Sequence, residues 1–229
     1  MRPSDLVVFL GPSLPAAAAR RLAPCTVLPP ARQGDVWRAL ARRPRPRAIA
    51  LVDGLFEQVP SVWHRELLGA LDAGVAVFGG GSMGAIRAAE LAPYGMVGVG
   101  TIARWYREGL DDDAAVALLH AGAEHGFRPF TVPLVNAWHA ADRARARGVV
   151  TRSESDSIRA AAGGLPYPDR TWPAILRAAG RSLGPAGRER WAAFAARGLP
   201  DLKAADARAT IRAAARWLQR RGGARPGRR

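Results

Sequence analysis

Cysteine is nearly missing from this chain. Cys25 is the single copy in 229 residues, so no internal disulfide can form and no thiolate zinc site can be built. A buried small residue is the expected role for Cys25. One cysteine fits a reducing cytoplasm, and a cytoplasmic location is expected. Lysine is equally scarce: of 34 basic residues only Lys203 is a lysine, and the others are arginines. The four histidines form no H-E-x-x-H, so no metal site is expected. No apolar run approaches the ~18 residues that span a bilayer. At the start, "LVVFL" is shorter than a signal-peptide core of about 7 to 15 residues, and Asp5 sits directly before it. It reads as a first strand, and no membrane partner is expected. There is no repeat at a fixed period.

What the chain does have is arginine, alanine, glycine and proline, the residues that GC-rich codons supply. Much of the net charge of +15 therefore follows from composition. The charge favours acidic partners and speeds their encounter, and nucleic acid is not expected among them.

Strand and helix signals alternate through the first half. "DLVVFL" (5–10), "TVL" (26–28), "RAIALVDG" (47–54), "VAVF" (75–78) and "MVGVG" (96–100) read as strands. Helix-length segments separate them, starting near Pro15, Gly34 and Ser61, the last with Ser61 as N-cap and Gly74 as stop. Continuous apolar strands spaced by helices predict an α/β fold, a Rossmann-like, mostly parallel sheet of about five to six strands. "AAVALLH" (114–120) fits a strand or a helix. Beyond Pro133 only amphipathic helices broken by Gly and Pro appear. The expected organisation is a core domain over 1–132, a helical region over 133–218 and a disordered basic tail over 219–229.

In such a sheet, ligands bind beyond the carboxyl ends of the strands. Gly11 and Ser13, Asp53 and Gly54, Gly79 to Gly84, and Gly100 with Thr101 all fall there. The turn after the fourth strand, "GGGSMG", admits several readings. As G-x-G-x-x-G it is the dinucleotide fingerprint, an NAD(P) site. That motif belongs after the first strand and needs an acidic residue about 20 positions on, and none is present. As G-x-S-x-G it is a nucleophile elbow that presents Ser82, with helix amides facing an oxyanion. The same amides and the Ser82 hydroxyl could instead bind an anion, or the turn could serve packing alone.

Several segments together carry a wider resemblance: "VVFLGPSL", "LPPARQGD", "AIALVDGLFEQVPSVWHRELLGALDAGVAVFGGGSMGAIRAAELAPYGMVGVGTI", "DDDAAVALLH" and "DLKAADA". In this order they resemble the TfuA family. The resemblance implies a partner of YcaO enzymes in backbone thioamidation, in ribosomal peptide natural products and in methyl-coenzyme M reductase. It also implies sulfide supply, by hydrolysis of the C-terminal thiocarboxylate of a ThiS-like carrier, and substrate engagement with YcaO. The YcaO partner would use ATP and Mg; no cofactor is expected on this chain. Two departures stand out. The family commonly has Ala-Ser-Ser-Met-Gly where this chain has Gly80-Gly81-Ser82-Met83-Gly84. Its D-D-D-E-V-A is Asp111-Asp112-Asp113-Ala114-Ala115-Val116 here.

Thiocarboxylate hydrolysis is acyl transfer with sulfide leaving, so it needs a nucleophile or activated water, a base and oxyanion donors. Ser82 is the candidate nucleophile or oxyanion hydroxyl, and His64 the candidate base. Asp53 or Glu66 could orient the imidazole. Gly11, Ser13, Gly80, Gly81, Gly84, Asp112 and Arg87 are the remaining substrate-binding candidates, with Arg87 as the anion clamp. The order Ser82, Asp112, His120 is a weaker triad, because its spacings are short and no HGGG-type segment is visible. A precursor peptide or protein would be the third partner. The competing reading is a non-catalytic adaptor that docks carrier and peptide on YcaO.

Overall fold

The structure, a computed structural model, describes residues 1–55, 57 and 59–223. It divides into two compact units, one formed by Met1–Asp111 with the chain from Lys203, the other by Asp112–Leu202.

The first unit is built on five strands: β1 (Leu6–Phe9), β2 (Thr26–Leu28), β3 (Ala48–Leu51), β4 (Ala76–Gly79) and β5 (Val97–Gly98). All pair in parallel in the order β2-β1-β3-β4-β5. The parallel sheet has five strands, within the five to six expected; β1, β3 and β5 are shorter than the runs read for them, β2 coincides with "TVL" and β4 is shifted by one residue. β5 keeps only Val97–Gly98 of its run, because Gly100 turns the chain at φ +96. This order reverses direction between β1 and β3, which marks the crevice where doubly wound sheets of this kind take ligands.

Strand alternation sends side chains to two cores. Val7, Phe9, Ile49, Leu51 and Val77 pack with residues of α2 (Asp35–Leu40), α3 (His64–Asp72) and α4 (Met83–Glu90). Leu6, Val8, Ala48, Ala50 and Phe78 pack on the other face with α1 (Ala16–Leu22) and with Ala207, Ile211, Ala214 and Leu218 of the last helix. α5 (Thr101–Arg107) follows β5.

That last helix departs from the sequence reading. Instead of a boundary at 132 and one helical region to 218, the division falls at Asp111, and the chain returns to the sheet unit at Lys203. The physical reason is cover: α1 has only seven residues, too few to bury the second sheet face. The returning helix also extends to Gly223, so residues 219–223, expected in the tail, are helical. The rest of the expected tail lies outside the described residues.

α3 starts at His64 rather than after Ser61. Glu66 takes the Trp63 N–H at 3.1 Å and so fixes the first turn there, while the Ser61 hydroxyl accepts from Arg87 at 3.2 Å. In the second unit, α6 (Leu134–Ala146), α7 (Arg152–Gly163), α8 (Trp172–Ala178) and α9 (Pro185–Ala195) follow one another, and α10 (Leu202–Gly223) is the returning helix. The ambiguous 114–120 segment is a short 3-10 turn, Asp113–Val116, then extended chain with one bridge from His120 to Pro129. Among the described residues, no helix is long and apolar enough to cross a membrane.

Candidate functional site

Asp53 stands directly past β3, at the switch point, and is 1% exposed. Its Oδ2 accepts the N–H groups of Gly11 at 2.8 Å and Ser13 at 3.1 Å, and its Oδ1 accepts the Ser13 hydroxyl at 2.6 Å. Three residues singled out separately in the sequence are therefore brought together, but as a latch. The carboxylate fastens the loop after β1 to the end of β3, and all three donors are internal.

The glycine turn lies one strand further along the same edge. A side chain on Gly84 would begin 1.8 Å from the Leu51 carbonyl oxygen, so glycine is required there for α4 to sit against β3. On Gly80 it would meet the Val99 carbonyl oxygen and the Thr210 hydroxyl. On Gly81, at φ +78, it would meet the Lys203 carbonyl oxygen. The space these glycines leave is filled by Leu51, Val52 and Val99 at the strand ends together with Lys203, Ala207 and Thr210 of α10. The tight approach explains why Gly80, Gly81 and Gly84 are glycines: each lies where a side chain would meet neighbouring protein atoms.

Most amides of the turn are likewise engaged. Gly80 donates to the Leu51 carbonyl, Ser82 to Gly80, Gly84 to Val52 and Ala85 to Ser82, at 2.7–3.3 Å. The N–H groups of Gly81 and Met83 donate to no described residue. Ser82 occupies the N-cap of α4, is 7% exposed, and its hydroxyl makes no capping bond. Two amides and one hydroxyl of the turn are thus without a hydrogen-bond partner among the described residues.

The Ser82, His64 and Asp53 relay is not assembled. His64 Nε2 lies 2.8 Å from Glu90 Oε2 on an exposed surface, and Arg87 Nη1 donates to the same oxygen at 2.7 Å. Arg87 also donates through Nε to the Val62 carbonyl at 3.1 Å. It therefore anchors the segment ahead of α3 instead of standing free as an anion clamp. Glu66, fully buried, takes the amides of Gly34 at 2.9 Å, Val36 at 3.1 Å and Trp63, tying the starts of α2 and α3 together. Neither carboxylate is available to orient the His64 ring. The reason is local: each acid sits where helix N-termini or loop amides present several donors, and these outcompete one imidazole.

At the far end of the edge, Asp206 of α10 accepts the Ile102 N–H at 2.8 Å and so caps α5. Gly100 is held at φ +96 with no room for a side chain against that carboxylate. Thr210 donates to the Asp206 carbonyl at 2.8 Å. The sequence reading placed Gly100 at this edge but missed Asp206, Thr210 and Lys203. A signal was available: "DLKAADA" sets polar residues at helical spacing at the head of an otherwise apolar stripe.

In the second unit, Asp112 caps its short turn by accepting the Ala114 N–H at 2.9 Å. Arg170, 3% exposed, donates to the carbonyls of Ala162 and Leu165, and its Nη1 has no hydrogen-bond partner among the described residues. Burial pulls its pKa below the usual arginine value, and the charge of Asp112 opposes this. His120 Nδ1 lies 2.8 Å from the Ala121 carbonyl and its ring meets Phe127 edge-on. Cys25 is buried in the α1 core, and burial raises its thiol pKa against the opposing charge of Arg20. That is the setting of an unreactive thiol. Among the described residues, no three His, Cys, Asp or Glu side chains come together as a metal site would require.

The fold and this edge define a doubly wound α/β protein whose polar groups gather beyond the carboxyl ends of its strands. The family model of the TfuA-like proteins matches residues 53–171, which begin at Asp53 and take in His64, Ser82, Arg87, Asp112 and Arg170. The chain belongs to the TfuA-like family. Lys203 and Asp206 lie beyond the matched residues. No curated protein matches the chain.

Proposed function

We propose that this chain works beside a YcaO enzyme in peptide backbone thioamidation and supplies sulfide from the C-terminal thiocarboxylate of a ThiS-like carrier. Membership of the TfuA-like family supports the association with YcaO-type thioamidation. The observation that carries the site assignment is the glycine turn, where the Ser82 hydroxyl and the amides of Gly81 and Met83 are left for a ligand at the sheet's carboxyl edge. In the reaction, water adds to the acyl carbon, the carbon–sulfur bond breaks and hydrosulfide leaves. The carrier is returned as its carboxylate, with one proton released. Ser82 acts in this scheme as a hydrogen-bond donor to the anionic terminus, because no base is placed on it.

One observation favours the adaptor reading. His64 is paired with Glu90, and both oxygens of Asp53 are held by the β1–α1 loop. A protein that only grips the carrier terminus and presents it to YcaO needs no assembled relay. Purified protein incubated with thiocarboxylated carrier, with and without YcaO, ATP and precursor peptide, separates the two. Sulfide released by this chain alone supports the hydrolase. Release only when YcaO is present supports the adaptor. No effect of this chain on thioamide formation rejects both.

A further inference from the structure

The other edge of the sheet, at the amino ends of the strands, is reached by the same last helix. Arg220 stands on α10 seventeen residues after Lys203, about 25 Å further along the axis at 1.5 Å per residue. There a cavity of about 650 Å³ is lined by Arg47, Trp217, Arg220 and Arg221. Arg47 directly precedes β3, the central strand. Its N–H donates to the Asp5 carbonyl at 2.9 Å and its carbonyl accepts the Ala76 N–H at 3.1 Å, so its backbone is held by the starts of β1 and β4. Trp217 meets Phe78 of β4 edge-on, with 6.3 Å between ring centroids. The Arg221 guanidinium lies over the Trp217 ring, 5.0 Å from its centroid. A guanidinium stacked in this way keeps its in-plane N–H donors for an anion.

The three arginines are exposed, and among the described residues none of them forms an ion pair and no acid lines the cavity. Asp5, whose carbonyl holds the Arg47 N–H, is buried, and its carboxylate takes the Arg2 backbone N–H at 2.7 Å and the Arg2 guanidinium at 3.3 Å. Residues 224–229 add three further arginines and no acidic side chain. The negative end of α10 accounts for arginines in its last turn, but not for Arg47, which another element brings to the same cavity.

An exposed arginine holds one anion weakly, so a single carboxylate or phosphate is a poor occupant and a chain of several charges a good one. Polypeptide fits better than nucleic acid. Single strands stack their bases on aromatic faces, and Arg221 already covers a face of Trp217. Duplexes take cations spread along a backbone, whereas these three surround one cavity. We propose that this cavity docks an acidic segment of a partner protein, with carboxylates on Arg47, Arg220 and Arg221 and apolar atoms against Trp217. Docking here leaves the carboxyl edge of the sheet free for a second ligand.

The probe is a fluorescent, end-blocked peptide of glutamates spaced by glycines, titrated with the full-length protein in physiological salt. The peptide should bind saturably, and its glutamine counterpart should not. Arg47→Gln, Arg220→Gln and Arg221→Gln together should weaken the acidic peptide about tenfold, which is what three exposed ion pairs contribute. Arg65→Gln, Arg104→Gln and Arg208→Gln remove the same charge from exposed positions in the first turns of α3, α5 and α10. They should change affinity by less than about twofold, because charges beyond the ~8 Å screening length contribute little. Equal losses in the two triple variants would assign the attraction to the overall charge of +15 and overturn the proposal. A DNA oligonucleotide of equal charge that binds wild type more tightly than the peptide does would overturn it too. The Trp217 indole N–H resonance, identified through Trp217→Phe, gives a second reading on the unaltered protein. It should shift with the acidic peptide and stay in place with the glutamine one; a resonance unmoved at saturating acidic peptide rejects the site even where the triple variant does not fold. No carrier and no YcaO enter these assays, so their failure leaves the sulfide reading untouched.

Discussion

Ser82 and His64 were natural partners in the sequence, and their surroundings give them different work. Ser82 caps α4 with its hydroxyl unengaged, while the His64 ring is paired with Glu90. Ser82→Ala should raise the KM for thiocarboxylated carrier by about tenfold, the loss of one hydrogen bond to a charged group, with kcat changed far less. His64→Ala should leave kcat/KM within about twofold. A loss of 10²-fold or more in kcat from either variant would reinstate nucleophilic catalysis and is read directly from steady-state kinetics. Glu154 tests a second residue-scale effect. Its pKa lies below the ordinary glutamate value of 4.5, chiefly because the Thr151 backbone N–H bonds its carboxylate. Burial opposes this, and the Thr151 hydroxyl and Arg190 add to the lowering. A lowered folded-state pKa means the stabilisation is complete above about 4.5 and is lost as pH falls through the folded value. Glu154→Gln should therefore lower Tm at pH 7 and flatten the loss of stability between pH 5 and pH 3, measured by thermal unfolding across pH.

Among the elements, the junction of β4 and α4 is the least tolerant. A methyl on Gly84 would meet the Leu51 carbonyl oxygen and the neighbouring backbone, which cannot swing aside as a side chain could. Gly84→Ala alone should cost at least the ~1–3 kcal/mol of an overpacked core, without waiting for a larger side chain. Gly163, the last residue of α7, has no atom within 4 Å of the corresponding position. Gly163→Ala should be neutral or slightly stabilising, and urea unfolding of the pair gives the contrast. An ordinary Cm for Gly84→Ala would mean that α4 can shift on β3, and the tight turn would lose its explanation.

Over the whole molecule, the sheet is closed by a helix that arrives more than a hundred residues after its last strand. Ala207, Ile211, Ala214 and Leu218 cover a face that α1 cannot span. A chain ending at residue 132, where the sequence suggested a boundary, leaves that face bare. Each large side chain so exposed forfeits about 1.5–3 kcal/mol, against a typical domain stability of ~5–15 kcal/mol. The truncated chain should bind a hydrophobic dye and show no cooperative thermal transition, whereas a chain joining residues 1–111 to 203–223 through a flexible linker should show one. A cooperative transition in the 1–132 chain would place α10 outside the folding unit.

The strands and the class of fold were legible in sequence, because parallel strands buried on both faces must be continuous apolar runs, and helix-length spacing follows from their crossovers. The polar positions beyond the strand ends were legible for the same reason: Gly11, Ser13, Asp53, Ser82 and Gly100 all fall there. The family was legible too, as ordered motifs whose match the family model bears out over residues 53–171. What each polar residue does was decided by tertiary structure alone. A polar side chain takes the partners that packing brings nearest, so Asp53 latches a loop, Glu66 ties two helix starts, and Arg87 donates to a backbone carbonyl. The return of α10 was hidden for a related reason. An amphipathic stripe states that a helix must be covered, and only the folded chain determines which surface covers it.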